Sequence, residues 1–321
     1  ARPAMGAPAR APRAAALPKK AEIASGDVAS IGYLRSAADI QENRLDNLES
    51  AADLYEKIRA KDPIDLGAID ALQRVLPATE RWDDLEMVLL DVRTRDVSEE
   101  RAIDSNFQLG RLYEEQLNRL SDAVDHYESV LDRQSNHVGA IDALMRAMED
   151  LEHGLRAARV LARVHEAQDD VERLVAVLQC QLERWPDDVD ASALQIKLAS
   201  LYRHQLQDAD RAFECLSEAT RLNWRQPPEL RSMLVTLVSE TGRWDDLNAL
   251  ERDVLGNLAD RSDRLALLVD MVRVARSQQQ NLERAETLIL EVLDEEPGHQ
   301  DALEDLCSLY QETGRLADKI E

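Results

Sequence analysis

Two adjacent carboxylates beside an indole, Arg81-Trp82-Asp83-Asp84-Leu85, recur 162 residues later as Arg243-Trp244-Asp245-Asp246-Leu247. Paired carboxylates can divide acid and base roles when separate elements bring them together in environments that drive their proton affinities apart. Neighbours in sequence at an exposed helix start do not converge in that way. The same letters make good helix punctuation. Asp83 is expected to cap a helix by accepting from free backbone N–H groups, with Glu86 three residues on completing a capping box. Trp82 would then staple onto Met87, and in the second copy Gly242 would end the preceding helix in a left-handed conformation.

Other chemistry is sparse. The six histidines form no HExxH pair, and none has a cysteine at metal-ligand spacing. There is no GxSxG elbow and no glycine-rich phosphate cradle. Cys180, Cys215 and Cys307 lie far apart in apolar helical stretches, which fits small packed side chains in a reducing compartment better than a disulfide framework. No catalytic residue, metal ligand or cofactor is assigned, and the chain is expected not to be an enzyme.

The elements that would carry these residues are helices. Apolar residues make up 44% of the chain but aromatics only 4%, so any core is built of Leu, Val, Ile and Ala. Eleven Gly and ten Pro in 321 residues leave a helix-forming composition. Arg outnumbers Lys by 33 to six, which hints at a GC-rich bacterial source. The net charge of −24 is uneven: residues 1–20 carry five cations and no acid, leaving −29 on the remainder. Such a body repels nucleic acid and anionic membrane, so neither is expected as a partner. No apolar run reaches the length of a membrane span or a signal-peptide core. The expected location is cytoplasmic, with periplasmic or secreted as the alternative because the first residue is Ala.

Internal periods organise the rest. "GAIDAL" at Gly67 returns at Gly139, and "ETGR" at Glu240 returns at Glu312, both 72 residues apart, which is two units of a helix–turn–helix repeat. Leu109, Leu112 and Tyr113 form one helical stripe, and Leu198, Leu201 and Tyr202 repeat it. On partner helices Ala51, Tyr55 and Ile58, and again Ala285, Ile289 and Val292, share a face, with Pro63 and Pro297 closing. The spacing Ala51–Ala123 is 72 and Ala212–Ala285 is 73, but Ala123–Ala212 is 89. One helix's worth of sequence has been added, which predicts an unpaired helix near 138–153.

With Gly110 and Ala199 as small mid-helix residues, and Ala51, Ala123, Ala212 and Ala285 opening second helices, the chain resembles the tetratricopeptide repeat family. The resemblance spans roughly 28–321; the family's early Trp of the first helix is missing, and Leu85 stands where Ala is usual. It implies an all-α, right-handed superhelical solenoid of antiparallel helix pairs, about sixteen helices, with one irregular insertion near 138–185. Residues 1–27 read as an Ala/Pro-rich basic arm of extended character, and 28–321 as the solenoid. The solenoid is expected to continue beyond Glu321 or to pack on another chain, because Leu303, Leu306 and Tyr310 lack a following helix.

The family resemblance further implies a non-catalytic protein–protein interaction scaffold or adaptor, holding a peptide segment or partner domain in its groove. The alternatives are a helical regulatory module of a larger enzyme, or a subunit that stacks end to end. Groove-facing candidates carried over are Phe107, Arg111, Glu114, Arg203, Arg273 and Arg276. The convergent Lys/Asn set with which some family members clamp a C-terminal carboxylate is not found. Arg2, Arg10 and Arg13 of the arm are expected to meet acidic helix faces.

Overall fold

The computed structural model describes residues 10–24, 26–94, 98–187, 190–225 and 228–315, apart from the side chains of 10–14, Thr94 and Pro228. Among the described residues there are seventeen α-helices and no strand. They fall into two compact units, Ala1–Gln168 and Asp169–Glu321. The first holds α1 (Arg10–Ile23), α2 (Asp27–Leu45), α3 (Leu48–Lys61), α4 (Leu66–Ala78), α5 (Trp82–Thr94), α6 (Glu99–Glu115), α7 (Leu120–Arg133), α8 (Val138–Ala147) and α9 (Gly154–Ala167). The second holds α10 (Val171–Arg184), α11 (Ala191–His204), α12 (Ala209–Leu222), α13 (Pro228–Thr241), α14 (Trp244–Asn257), α15 (Arg261–Ser277), α16 (Leu282–Glu295) and α17 (Gln300–Glu312).

Each unit is a stack of helix pairs, and besides α1/α2 the closest are α2/α3, α6/α7, α11/α12 and α15/α16. These are the pairs whose second helix opens with a small residue: Ala51, Ala123, Ala212 and Ala285 are completely buried. The stripes pack as their spacing requires, with Leu109, Leu112 and Tyr113 buried on α6 and Leu198, Leu201 and Tyr202 buried on α11. A fully buried Leu is worth about 1.5–3 kcal/mol, so each stripe anchors its helix firmly. Gly110 is small for a reason. A Cβ there would lie 2.5 Å from the Tyr127 ring of α7.

A turn rule recurs before six second helices. One residue takes a left-handed conformation and the next occupies the cap position: Asp46 precedes Asn47, Glu80 precedes Arg81, Asn118 precedes Arg119, Gln207 precedes Asp208, Gly242 precedes Arg243 and Gln280 precedes Asn281, with side-chain caps from Asn47, Asp208 and Asn281. Gly242, at φ 74°, ends α13 as its sequence suggests. Glu80 takes the same role at φ 55° without a glycine's freedom.

The added helix length behaves differently from the expected unpaired helix at 138–153. α8 is packed between α7 and α9. α9 behaves as a second helix, because Arg156 and Arg163 reach back to α7, where Arg163 Nη2 lies 2.8 Å from Glu128. Yet α9 is followed by left-handed Asp169 and the capping Asp170, the turn that elsewhere separates first helix from second. One helix of the α8–α10 run is therefore surplus to strict pairing.

The N-terminal segment also departs from expectation. Residues 10–23 are helical rather than extended, which brings the count to seventeen instead of sixteen. Pro12 sits in the first turn, where its missing N–H has no intrahelical acceptor to lose. Pro18 does sit inside the helix. Leu17 and Ala21 are nevertheless buried against α2, and Ser30 Oγ donates to the Ala21 carbonyl at 2.9 Å. Tertiary burial outweighs the local penalty.

Candidate functional site

The two RWDDL copies are not acid–base centres. Trp82 and Trp244 are the first helical residues of α5 and α14, so Arg81 and Arg243, rather than Asp83 and Asp245, occupy the cap positions. Asp83 is exposed and Met87 is exposed, so neither the expected cap nor the staple forms. The arginine is the organising residue. Arg81 Nε donates to Asp84 at 2.6 Å, while Nη1 reaches Asp53 at 2.9 Å and Nη2 reaches Glu56 at 2.8 Å, both on α3. Partial burial opposes the Arg81 charge, but the hydrogen bonds it donates to Asp84 and Asp53 overcome it and raise its proton affinity. Arg243 repeats the arrangement with Asp246 at 2.6 Å and Asp210 of α12 at 2.8 Å. Arg119 does so with Asp122 at 2.6 Å, in a third copy without a Trp. Glu86, expected in a capping box, accepts instead from the Tyr113 hydroxyl. Burial and this bond push the Tyr113 phenol up to about 12.

Arginine links successive repeats elsewhere too. Along first helices Arg74 reaches Glu42 at 2.6 Å, and Arg203 reaches Glu240 at 2.7 Å. Along second helices Arg59 pairs with Asp91 at 3.0 Å, and Arg252 forks onto Glu291 at 2.6 and 2.8 Å. A planar five-donor fork suits such bidentate spans better than a lysine point charge, which gives the arginine excess a physical use. The most buried link is in the second unit: Glu251, 4% exposed, accepts from Arg231 and from Arg284 at 2.8 Å, and Arg231 also holds Asp270 at 2.6 Å. Three helices, α13, α14 and α16, meet on that carboxylate, and Arg231 ties in α15 through Asp270.

This lattice occupies most of the expected partner-binding residues. Glu114 accepts from the buried Tyr127 hydroxyl at 2.6 Å and pairs with Arg146 at 3.3 Å. Arg203 is held by Glu240. Arg276 binds Asp305, and Glu312 at 2.9 Å. Arg273 is largely exposed and pairs at 3.1 Å with Asp270 on its own helix. Arg2 lies outside the described residues, as do the side chains of Arg10 and Arg13. The cysteines are half-buried thiols; burial pushes Cys215 up to about 11 and raises Cys180, so neither is poised as a nucleophile. No group of three or more His, Cys, Asp or Glu able to hold a metal occurs among the described residues. None of the described helices is long and apolar enough to cross a membrane.

Phe107 and Arg111 are the two candidates that the structure places in one cavity. A groove of about 570 Å³ lies between α4 and α6, with α5 beneath. Its floor is apolar: Pro77, Trp82, Leu85, Phe107 and Leu112. Arg74, Arg111, Asp104 and Glu115 stand on its walls. A second cavity of about 350 Å³ continues it, sharing Asp70, Gln73 and Asp104 and adding Glu100 and Arg101. Phe107 is fixed from behind by the Tyr127 and His137 rings, with centroids 5.9 and 4.7 Å away. Sequence reasoning missed Trp82, which it assigned to punctuation, and the acidic wall at Glu100 and Asp104. The sequence shows two carboxylates one helical turn apart, but with Arg101 between them it does not show that Arg101 pairs with Asp70 instead.

Comparison with known proteins gives one family match, on the α6/α7 pair. The tetratricopeptide repeat family model matches residues 104–137, which are most of α6, all of α7 and the turn after it. No curated protein matches the chain in sequence. Among solved structures, the P58(IPK) TPR domain is 15% identical over 96% of this chain and 89% of its own, with a TM-score of 0.29. IFIT1, in a monomeric mutant with m7Gppp-AAAA, is 12% identical over 91% and 68%, with a TM-score of 0.27. Yeast Tom70 is 14% identical over 82% and 63%, with a TM-score of 0.30. The chain is an all-α array of helix pairs, of which residues 104–137 match the tetratricopeptide repeat family model.

Proposed function

We propose that the chain is a non-catalytic scaffold that holds a peptide segment of a partner protein in the groove between α4 and α6. The observation that carries this reading is the groove itself, with an apolar floor beneath charged walls on first helices of the first unit. A side chain seated on Trp82 and Leu85 supplies the anchor, and the wall charges set register. The test is a random peptide display selection, followed by binding of the winners to Gln73→Trp. Gln73 is half-buried on the groove wall, so an indole there fills the space. Selected peptides should lose affinity for that variant. Winners that bind it undiminished would place recognition elsewhere.

One observation supports a second reading, self-association through the last helix. Leu303 on α17 is 43% exposed. Sedimentation over a concentration range tests it. A concentration-dependent increase in mass that Leu303→Glu abolishes would support it, and a monomer at all concentrations would remove it.

A further inference from the structure

The groove has a charge preference that follows from how its ionic groups are already spent. Its three arginines are each bound to a carboxylate of this chain. Arg74 holds Glu42 at 2.6 Å, Arg101 holds Asp70 at 2.8 Å, and Arg111 forks onto Glu115 at 2.9 and 3.0 Å. Glu100 and Asp104 remain. They are exposed and one turn apart on α6, and among the described residues neither is in an ion pair. Asp104 accepts only a neutral hydrogen bond, from Gln108 Nε2 at 2.7 Å.

We infer that the segment held in this groove is basic, with Lys or Arg flanking a large apolar residue. This rests on the groove reading above and adds the polarity of the partner. An acidic segment would have to share arginines that already hold a carboxylate of this chain, and would meet the exposed carboxylates of Glu100 and Asp104 on the way. A basic segment neutralises Glu100 and Asp104 without disturbing any pair, while its apolar residue covers Pro77, Trp82 and Leu85. The −29 carried by residues 21–321 favours its approach.

The experiment uses two fluorescein-labelled peptides of equal length around a central Leu-Phe, one flanked by lysines and the other by glutamates. Fluorescence anisotropy is read with the wild-type chain, Glu100→Lys/Asp104→Lys and Gln73→Trp, each checked for native helix content. Both lysines replace exposed side chains, so the fold is kept. The lysine peptide should bind the wild type roughly tenfold or more tightly than the glutamate peptide, an advantage that shrinks with salt and reverses in the double variant. Tighter binding of the glutamate peptide to the wild type, or lysine-peptide affinity unchanged in the double variant, overturns the polarity and leaves the groove standing. Failure of both peptides to bind the wild type, or binding indifferent to Gln73→Trp, overturns the groove reading itself.

Discussion

Replacing Gly110 with Ala sets two effects of known size against each other. Gly110 lies inside α6, where Ala is favoured over Gly by roughly 1 kcal/mol on backbone grounds. Against this, the new Cβ would meet Cε1, Cδ1 and Cζ of Tyr127 at 2.5, 2.8 and 2.9 Å. The ring has nowhere to go. Tyr127 is 0% exposed, its hydroxyl is tied to Glu114 at 2.6 Å, and Phe107 packs on it. Overpacking of this kind costs about 1–3 kcal/mol, and pulling the hydroxyl off its carboxylate adds about 1.5–3 kcal/mol. The expected balance is a net loss of roughly 1.5–5 kcal/mol in the first unit. Gly32→Ala is the matched control. Gly32 is also inside a helix, but no atom lies within 4 Å of its would-be Cβ, so that variant should gain about 0.5–1 kcal/mol. Urea unfolding followed by far-UV circular dichroism reads both. Should Gly110→Ala match or exceed the wild type while Gly32→Ala behaves as expected, the helix-packing argument fails.

Further outcomes follow from other positions. Glu80→Gly should raise the midpoint of the first unit by roughly 1 kcal/mol, since Glu80 holds φ 55° where the second copy has glycine; an unchanged or lower midpoint counts against the turn rule. Glu251→Ala leaves Arg231 and Arg284 without their shared carboxylate and should cost the second unit about 3–5 kcal/mol, whereas Arg111→Ala, at an exposed pair, should cost under about 1 kcal/mol. Equal effects in denaturation would refute the distinction. His126 is stacked on Tyr113 beside Asn106, and burial, helped by Arg93, lowers its affinity for a proton below the ordinary 6.5. The unfolded chain therefore binds that proton more readily, so the stability contributed is present above 6.5 and lost as pH falls from 6.5 through the lower folded value. His126→Gln should flatten the stability loss between roughly pH 7 and pH 5; an unaltered acid slope would show that another group controls it.

Helix pairing was legible because it is periodic over short distances. Leu109, Leu112 and Tyr113 announce a buried face by spacing alone, and Gly242 announces a left-handed turn by its type. Glu80 does not, because a turn that packing over-determines can be held by a residue with no preference for it. The arginine forks were illegible for a different reason. Arg81 and Arg243 find their partners 25–33 residues back on the preceding second helix, beyond any local pattern, so Asp83 looked like the better cap. α1 was misread because Pro3, Pro8 and Pro12 weigh heavily in a local reading, while the burial of Leu17 and Ala21 depends on α2. At the groove, Phe107 and Arg111 were found by family position. Glu100 and Asp104 emerge only once each arginine has been assigned to its carboxylate.

Hydrogen–deuterium exchange of the full chain with and without the lysine-flanked peptide tests the binding account at its centre, since it reports where on the array a ligand sits. Slowed exchange should be confined to 66–78, 82–94 and 99–115, the three helices that line the groove, and should vanish in Gln73→Trp. Protection confined to α3 and α7, or to the second unit, or absent altogether, would contradict the placement of the binding surface between α4 and α6.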